Sequence, residues 1–227
     1  MKTIQYDGFE LEHFDSAYNF RKYQVLLIKK YLKGKFLEVG AGTGGLAHFY
    51  KKFVIKPTLI EPEKKLYESL KKRFKEEDIV IENCTINEID KKFNTIIYFD
   101  VLEHIQNDLE EIQKASQKIE SDGYLIFSVP AYQSLYSDFD KSVGHFKRYN
   151  KNDFFELSKK TGLKIEKLIY YDSIGFLFLI LNRIFSLKQT NLKGKLFLWN
   201  ILIPLSKIID FLTFNKFGKS LLCVFKK

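Results

Sequence analysis

Two cysteines, Cys84 and Cys223, are all the chain has. Both sit in apolar, strand-like runs where buried free thiols are the rule, so nothing points to a disulfide framework. No apolar run reaches the ~20 residues that a bilayer-spanning helix needs. The opening residues, Met1-Lys-Thr-Ile-Gln-Tyr-Asp-Gly, lack the apolar stretch of a signal peptide, and the cytoplasm is the expected compartment. Internal repeats and low-complexity segments are missing. Acidic residues are in the minority: 28 Asp and Glu against 37 Lys and Arg leave a net charge of +9. The lysines fall in separated pairs, such as Lys51-Lys52, Lys71-Lys72 and Lys159-Lys160, which read as solvated helix faces and not as one nucleic-acid track. A nucleic-acid partner is therefore not expected, whereas an anionic small molecule or membrane surface remains compatible with the charge.

What is there suits one α/β domain over residues 1–227, long enough to bury a proper core. Residues 1–34 read as a polar lead and a helix, roughly Tyr18 to Leu32, closed by Gly34 in a left-handed turn. Residues 35–172 alternate short apolar runs with helical stretches. The runs Phe36–Val39, Ile55–Ile60, Ile79–Ile81, Thr95–Phe99 and Tyr124–Val129 are nearly continuous in apolar character, as parallel strands buried on both faces are. Leu109, Ile112, Ala115 and Ile119 recur at helical spacing, with Gly123 just past the end. Ala131 to Tyr149 is a long aromatic loop without a period, and loops of that length are commonly functional. A helix over Asn152–Lys160 ends at Gly162. Lys164–Tyr171 reads as a sixth strand and 219–227 as a seventh, with an apolar helical insert, 173–218, between them. The expectation is a doubly wound sheet.

Phe36-Leu-Glu-Val is followed by Gly40, Gly42, Gly44 and Gly45. A glycine-rich turn between a strand and a helix lets backbone approach a ligand, and the helix start offers free N–H groups. Gly40-x-Gly42-x-x-Gly45 also satisfies the dinucleotide fingerprint. Glu61, about twenty residues on at the end of the second run, is placed to accept hydrogen bonds from both ribose hydroxyls of a nucleoside cofactor. An NAD-dependent oxidoreductase thus stays open at this point, as does a non-catalytic cofactor-binding module.

Glu38-Val39-Gly40-Ala41-Gly42-Thr43-Gly44 resembles motif I of the class I S-adenosylmethionine-dependent methyltransferases. Asp100-Val-Leu-Glu103-His104-Ile and Gly123-Tyr-Leu-Ile-Phe-Ser-Val-Pro130 are similar to that family's fourth- and fifth-strand segments. The resemblance covers roughly residues 18–172 and the last strand. It implies a Rossmann-like, seven-stranded sheet with the last strand antiparallel, and S-adenosyl-L-methionine as cofactor. Gly40, Ala41, Gly42 and Gly44 would line its methionine moiety, Glu61 its ribose, and Pro62 with Cys84 and Thr85 its adenine. Asp100 and Val101 would approach the methionine end, and Arg21 would pair with the carboxylate. Glu38, a carboxylate inside a strand, needs a partner, and the cationic tail of the cofactor is one candidate.

Methyl transfer to oxygen requires loss of a proton, which suits histidine, with its unperturbed pKa of ~6.5. His104 and His145 lie in the right region; His13 and His48 do not. Asp100-x-x-Glu103-His104 also resembles the quinone-ring O-methyltransferases, where the cluster can hold a divalent cation; these three residues are the alternative to a metal-free site. The segment Tyr132 to Tyr149 resembles methyltransferases of glycan assembly. Tyr132, Tyr136, Asp140, Arg148 and Tyr149 are the expected acceptor contacts, for a small-molecule or glycan- or lipid-linked acceptor methylated at oxygen. The insert has two apolar stretches, Ile174–Phe185 and Leu196–Ile203 before Pro204, with Lys188, Lys193 and Lys195 between them. It reads as a helical pair packed on the sheet or a second subunit, with peripheral contact at the inner membrane face over 174–203 as the sharper reading.

Overall fold

A computed structural model describes residues 17–185 and 192–227; His13 and Lys188 lie outside them. In chain order the elements are α1 (Tyr18–Ile28), β1 (Phe36–Val39), α2 (Ala47–Tyr50), β2 (Thr58–Ile60), α3 (Lys64–Arg73), β3 (Val80–Glu82), β4 (Phe93–Phe99), α4 (Asp108–Gln117), β5 (Ile119–Pro130), α5 (Asp138–Ser142), α6 (Lys151–Thr161), β6 (Lys164–Tyr171), α7 (Ser173–Phe185), α8 (Leu192–Leu212) and β7 (Ser220–Lys226). Seven strands form one sheet in the order β3-β2-β1-β4-β5-β7-β6. The first five are parallel, and β7 runs antiparallel between β5 and β6. Chain direction across the sheet reverses between β1 and β4. Ligands of doubly wound sheets bind there, outside the carboxyl ends of the strands.

Both faces of the sheet are covered. Leu37, Ile96, Tyr98 and Phe127 pack on one side with α4 and α6; Phe36, Leu59, Ile97 and Ile126 pack on the other with α1 and α2. Burial on both faces explains why the central strands lack a polar alternation.

Four local expectations are corrected. β2 begins at Thr58, because Ile55 is exposed and Lys56 takes a positive φ of 47°. Ile119 opens β5 opposite Phe93 instead of closing α4, which stops at Gln117. Gly123 accordingly lies within β5 and not at a helix end; a Cβ there would stand 2.9 Å from the Asn94 carbonyl oxygen. Finally, Pro204 does not end the second apolar stretch, and α8 continues to Leu212. Proline removes the N–H that would bond the carbonyl four residues back. That carbonyl, of Asn200, instead accepts from Asn19 Nδ2 at 3.0 Å, while Asn200 Oδ1 accepts from the Asn19 N–H at 2.9 Å. The break in the helix ladder is thus the dock for α1.

The insert is held by buried polar groups. Asp210 accepts from Tyr23 Oη at 2.8 Å and from the N–H groups of Asp172 and Ser173 at 2.8 and 3.0 Å, capping α7. Asp172 accepts from Trp199 Nε1 at 2.9 Å and pairs with Lys219 at 3.3 Å.

Candidate active site

Gly40, Glu61 and Asp100 each follow the carboxyl end of a parallel strand and meet at one edge of the sheet. Gly40, Gly42 and Gly44 all have positive φ, of 66°, 56° and 81°. At Gly40 a Cβ would also come within 2.7 Å of Val101 Cγ2, so no side chain fits between the first turn and the segment after β4. The Gly40 and Ala41 N–H groups are tied to the Ile60 carbonyl at 2.9 and 3.1 Å. The Gly42 N–H donates to Glu61 Oε2 at 2.8 Å, and the Glu63 N–H to Glu61 Oε1 at 2.9 Å. Burial pushes the Glu61 carboxyl up, against these two backbone bonds. Each oxygen keeps a lone pair for a further donor.

Glu38 has a partner from the chain: Tyr50 Oη donates to Glu38 Oε2 at 2.5 Å, both groups being buried. Sequence reading missed Tyr50, which lies twelve residues on in α2 and carries no signal of its own. Arg21 is buried on α1; its NH1 donates to Asp100 Oδ2 at 3.1 Å and to Gln24 Oε1 at 2.8 Å. Asp100, at a positive φ of 58°, leaves 40% of its side chain exposed. This ion pair presents one cation and one anion side by side, the complement of an amino-acid zwitterion. Pro62 is exposed beside Glu61, and Asn83 Nδ2 fixes that turn by donating to the Glu61 and Pro62 carbonyls at 2.7 and 3.1 Å. Cys84 is half-buried, its thiol pushed up to about 11 by burial and by Glu82 and Glu88. Thr85 spends its N–H and hydroxyl on Glu88, at 2.8 and 2.9 Å.

Next to Asp100 opens a cavity of about 560 Å³. Arg21, Asp100, Glu103, His104, Asp140, His145 and Arg148 form its polar wall, with Lys219. Its apolar wall comes mainly from the insert, through Phe178, Leu179, Leu196, Leu198 and Trp199, together with Phe20, Phe139 and Val143. Three buried side-chain polar atoms among the described residues lack a hydrogen-bond partner, and two of them, Arg21 Nε and Glu103 Oε2, belong to residues of this wall. Buried polar atoms are ordinarily paired, so these two point to a ligand.

The long loop after β5 is ordered by Asp140. This carboxylate is fully buried and accepts from His145 Nδ1 at 2.9 Å, from Arg148 Nε and NH2 at 2.8 and 3.0 Å, and from Ser137 N and Oγ, both at 2.9 Å. Burial pushes its carboxyl up, but the bonds from His145, Arg148 and Ser137 outweigh that and hold it well below the usual range. An ionised carboxylate is acceptor-only, so His145 donates to it from Nδ1. The His104 ring stands edge to face with it, centroids 4.7 Å apart. Burial, and then the charge of His145, lower the His104 pKa to about 4. Burial and the charge of Asp100 push the Glu103 carboxyl well above its ordinary value.

The structure therefore brings His104, His145, Asp140 and Arg148 to one wall. The three tyrosines expected beside them do not border the cavity. Tyr149 is fully buried, its hydroxyl on the Leu102 carbonyl and Asp108 at 3.3 and 3.1 Å. Tyr136 Oη donates to the His145 carbonyl at 2.6 Å, and Tyr132 stacks on Tyr170 at 4.7 Å. Potential ligand atoms of Glu103, His104 and His145 lie within 4.8 Å of one another. This is a different trio from Asp100, Glu103 and His104, since Asp100 is turned to Arg21.

The low His104 pKa has a consequence for stability. Between about pH 4 and 6.5 the unfolded chain binds a proton that the folded one refuses, so stability is full above 6.5 and falls as pH drops toward 4. Unfolding free energies from urea titrations across that window are expected to fall for wild type by about 2–3 kcal/mol more than for His104→Asn. Glu103 contributes a slope of the opposite sign, shared by both proteins.

A family model described as "Methyltransferase domain" matches residues 11–168, more than half of the chain. The chain belongs to that family, and it is a methyltransferase. The dinucleotide oxidoreductase reading closes with this match. Solved structures agree on the fold. A S-adenosylmethionine-dependent methyltransferase of Thermotoga maritima superposes with a TM-score of 0.63 at 16% identity, covering 96% of this chain and 94% of that one. One from Archaeoglobus fulgidus gives 0.61 at 14%, over 92% and 93%. Phosphoethanolamine N-methyltransferase 2 of Haemonchus contortus, in complex with S-adenosyl-L-methionine, gives 0.61 at 17%, over 94% of this chain and 56% of that one. No curated protein matches the chain in sequence. The methyltransferase thus has the Rossmann-like class I fold of the S-adenosylmethionine-dependent enzymes.

Proposed function

We propose that this methyltransferase methylates a hydroxyl oxygen on a small acceptor with a substantial apolar part, of the lipid-linked or glycan-lipid type, with His145 as the general base. The observation that carries this is the cavity in which an Asp140-held imidazole faces an apolar wall built mainly by the insert. S-adenosylmethionine, when bound, supplies an electrophilic methyl group on a sulfonium. Gly40, Ala41, Gly42 and Gly44 would line its cradle, Glu61 would accept hydrogen bonds from its ribose hydroxyls, and Arg21 and Asp100 would take its carboxylate and ammonium. Pro62 and Cys84 would flank its adenine, and Val101 would approach the methionine end. The paired charges, the orphaned Arg21 Nε and the glycine cradle fit that group.

The chain's own residues do the rest. His145 Nε2 takes the acceptor's hydroxyl proton, and ionised Asp140 stabilises the imidazolium that results. His104, neutral above about pH 4, packs against His145 without adding charge. Phe178, Leu196 and Trp199 seat the apolar part and exclude water, which aligns the oxygen. The Glu103–His104–His145 trio supports a second reading, in which a divalent cation activates the hydroxyl.

Transfer from isotopically labelled donor to matched alkyl alcohols and amines tests the proposal. Label is expected on oxygen, with KM falling as the alkyl part lengthens, and activity is expected to survive EDTA. Label on nitrogen only, or indifference to chain length, overturns the acceptor assignment. Loss with EDTA that magnesium restores transfers the case to the cation.

A further inference from the structure

The insert is built inside out. The face of α8 turned to the protein carries Trp199, Ile203, Ser206 and Asp210, all buried, and it holds most of the polar bonds of the pair. The opposite face carries Phe197, Ile201, Leu205, Ile208, Phe211 and Leu212, all exposed. On α7, Leu177, Leu181 and Ile184 are exposed as well, and Phe214 just beyond α8 is 82% exposed. A helix apolar on its outward face normally belongs in a core or in lipid, and an apolar patch of this extent marks an interaction surface. No described helix is long and apolar enough to cross a membrane.

Charge identifies the occupant. Between Ser173 and Ser220 the sequence has seven Lys and Arg and a single acid, Asp210. That acid is buried and spent on Tyr23 and the start of α7, so the exposed charge is entirely basic, with Lys195, Lys207 and Lys216 among it. A second copy would bring the same basic rim against this one, and like charges across an interface repel. An anionic bilayer surface complements it, with apolar side chains sinking to the acyl boundary and lysines among the headgroups. The cavity opens onto this face: Leu181, Leu198 and Lys195 are exposed and also line it.

We propose that the outward face of α7 and α8 docks on an anionic lipid bilayer and turns the mouth of the cavity toward the membrane. Lipid-borne molecules then enter from the bilayer without first crossing water. Membrane binding is read without methyl transfer, so failure of the acceptor assignment leaves this surface standing, and failure of docking leaves the chemistry standing.

Flotation with phosphatidylcholine vesicles, with and without phosphatidylglycerol, is the test. The full chain is expected to float with the anionic vesicles, less with the neutral ones, and less again at high salt. The double variant Phe211→Asp, Phe214→Asp is expected to lower the floated fraction by about tenfold. Both positions are well exposed, and Asp tolerates the positive φ of 53° at 214. S-adenosylhomocysteine affinity equal to wild type shows that the variant has folded. Should it not fold, Lys195→Glu with Lys207→Glu is the second pair, expected to abolish the preference for anionic vesicles. Absence of flotation overturns the proposal, as does flotation that neither pair alters or that ignores lipid charge. So does a concentration-dependent dimer, by sedimentation, that hides the face from vesicles.

Discussion

Replacing His145 with Ala is expected to lower kcat by about 10²–10⁴-fold, the usual worth of a positioned general base, with little change in affinity for S-adenosylhomocysteine. His145 touches neither the glycine cradle nor Glu61, so donor binding is left intact. Its Nδ1 is held by Asp140, which fixes the tautomer. Asp140→Asn should therefore fall between the two proteins, because an amide can accept from Nδ1 yet offers no charge to the imidazolium. Arg148 would lose its ionic partner in the same variant. Steady-state kinetics read beside thermal melts separate the two effects: a loss of kcat at unchanged Tm belongs to the base, and a fall of both belongs to the loop. Equal kcat in His145→Ala and wild type would remove the base from the proposed mechanism.

Replacing Glu61 with Ala is expected to weaken S-adenosylhomocysteine by about 30–150-fold, or 2–3 kcal/mol, the worth of charge-assisted hydrogen bonds to a ribose diol. The loss has two parts. The carboxylate no longer accepts from the ligand, and the Gly42 and Glu63 N–H groups it held are left to find other partners. Glu61→Gln separates them, since the amide can accept one of these N–H groups while having no charge to offer the diol. Calorimetric titration measures both variants. Affinity unchanged in Glu61→Ala would move the ribose elsewhere.

The parallel sheet was legible in the sequence because its strands are buried on both faces and its turns are marked by glycine. Glu38 to Gly44 and Glu61 were legible because the tight turn and the acid lie at fixed distances along the chain. Gly123 misled, because its role is close approach inside β5 and not helix termination. Pro204 misled because the carbonyl it leaves unpaired, that of Asn200, is met by Asn19 from 181 residues away, and no local rule sees so far. The tyrosines of the long loop have the chemistry of acceptor contacts; burial decides instead, and it turns Tyr149 to Leu102 and Asp108. Asp140 and Arg148 read as acceptor contacts in the sequence. They do border the cavity, but as a pair that holds His145, a relation visible only once the short helix α5 brings Asp140 under the loop. Trp199, Leu196 and Phe178 carried only the pattern of an apolar helix. Their place in the cavity wall depends on the buried Asp172 and Asp210, which seat the insert, and buried acids of that kind look like ordinary surface acids in a sequence.

The meeting of a methyl-donor cradle with the cavity beside Asp100 can be measured directly by titrating the wild-type chain with S-adenosylhomocysteine and, separately, with NADH. One S-adenosylhomocysteine bound per chain, with no heat from NADH, is the expected result. Saturable binding of NADH, or heat from neither ligand, would contradict the account at its base.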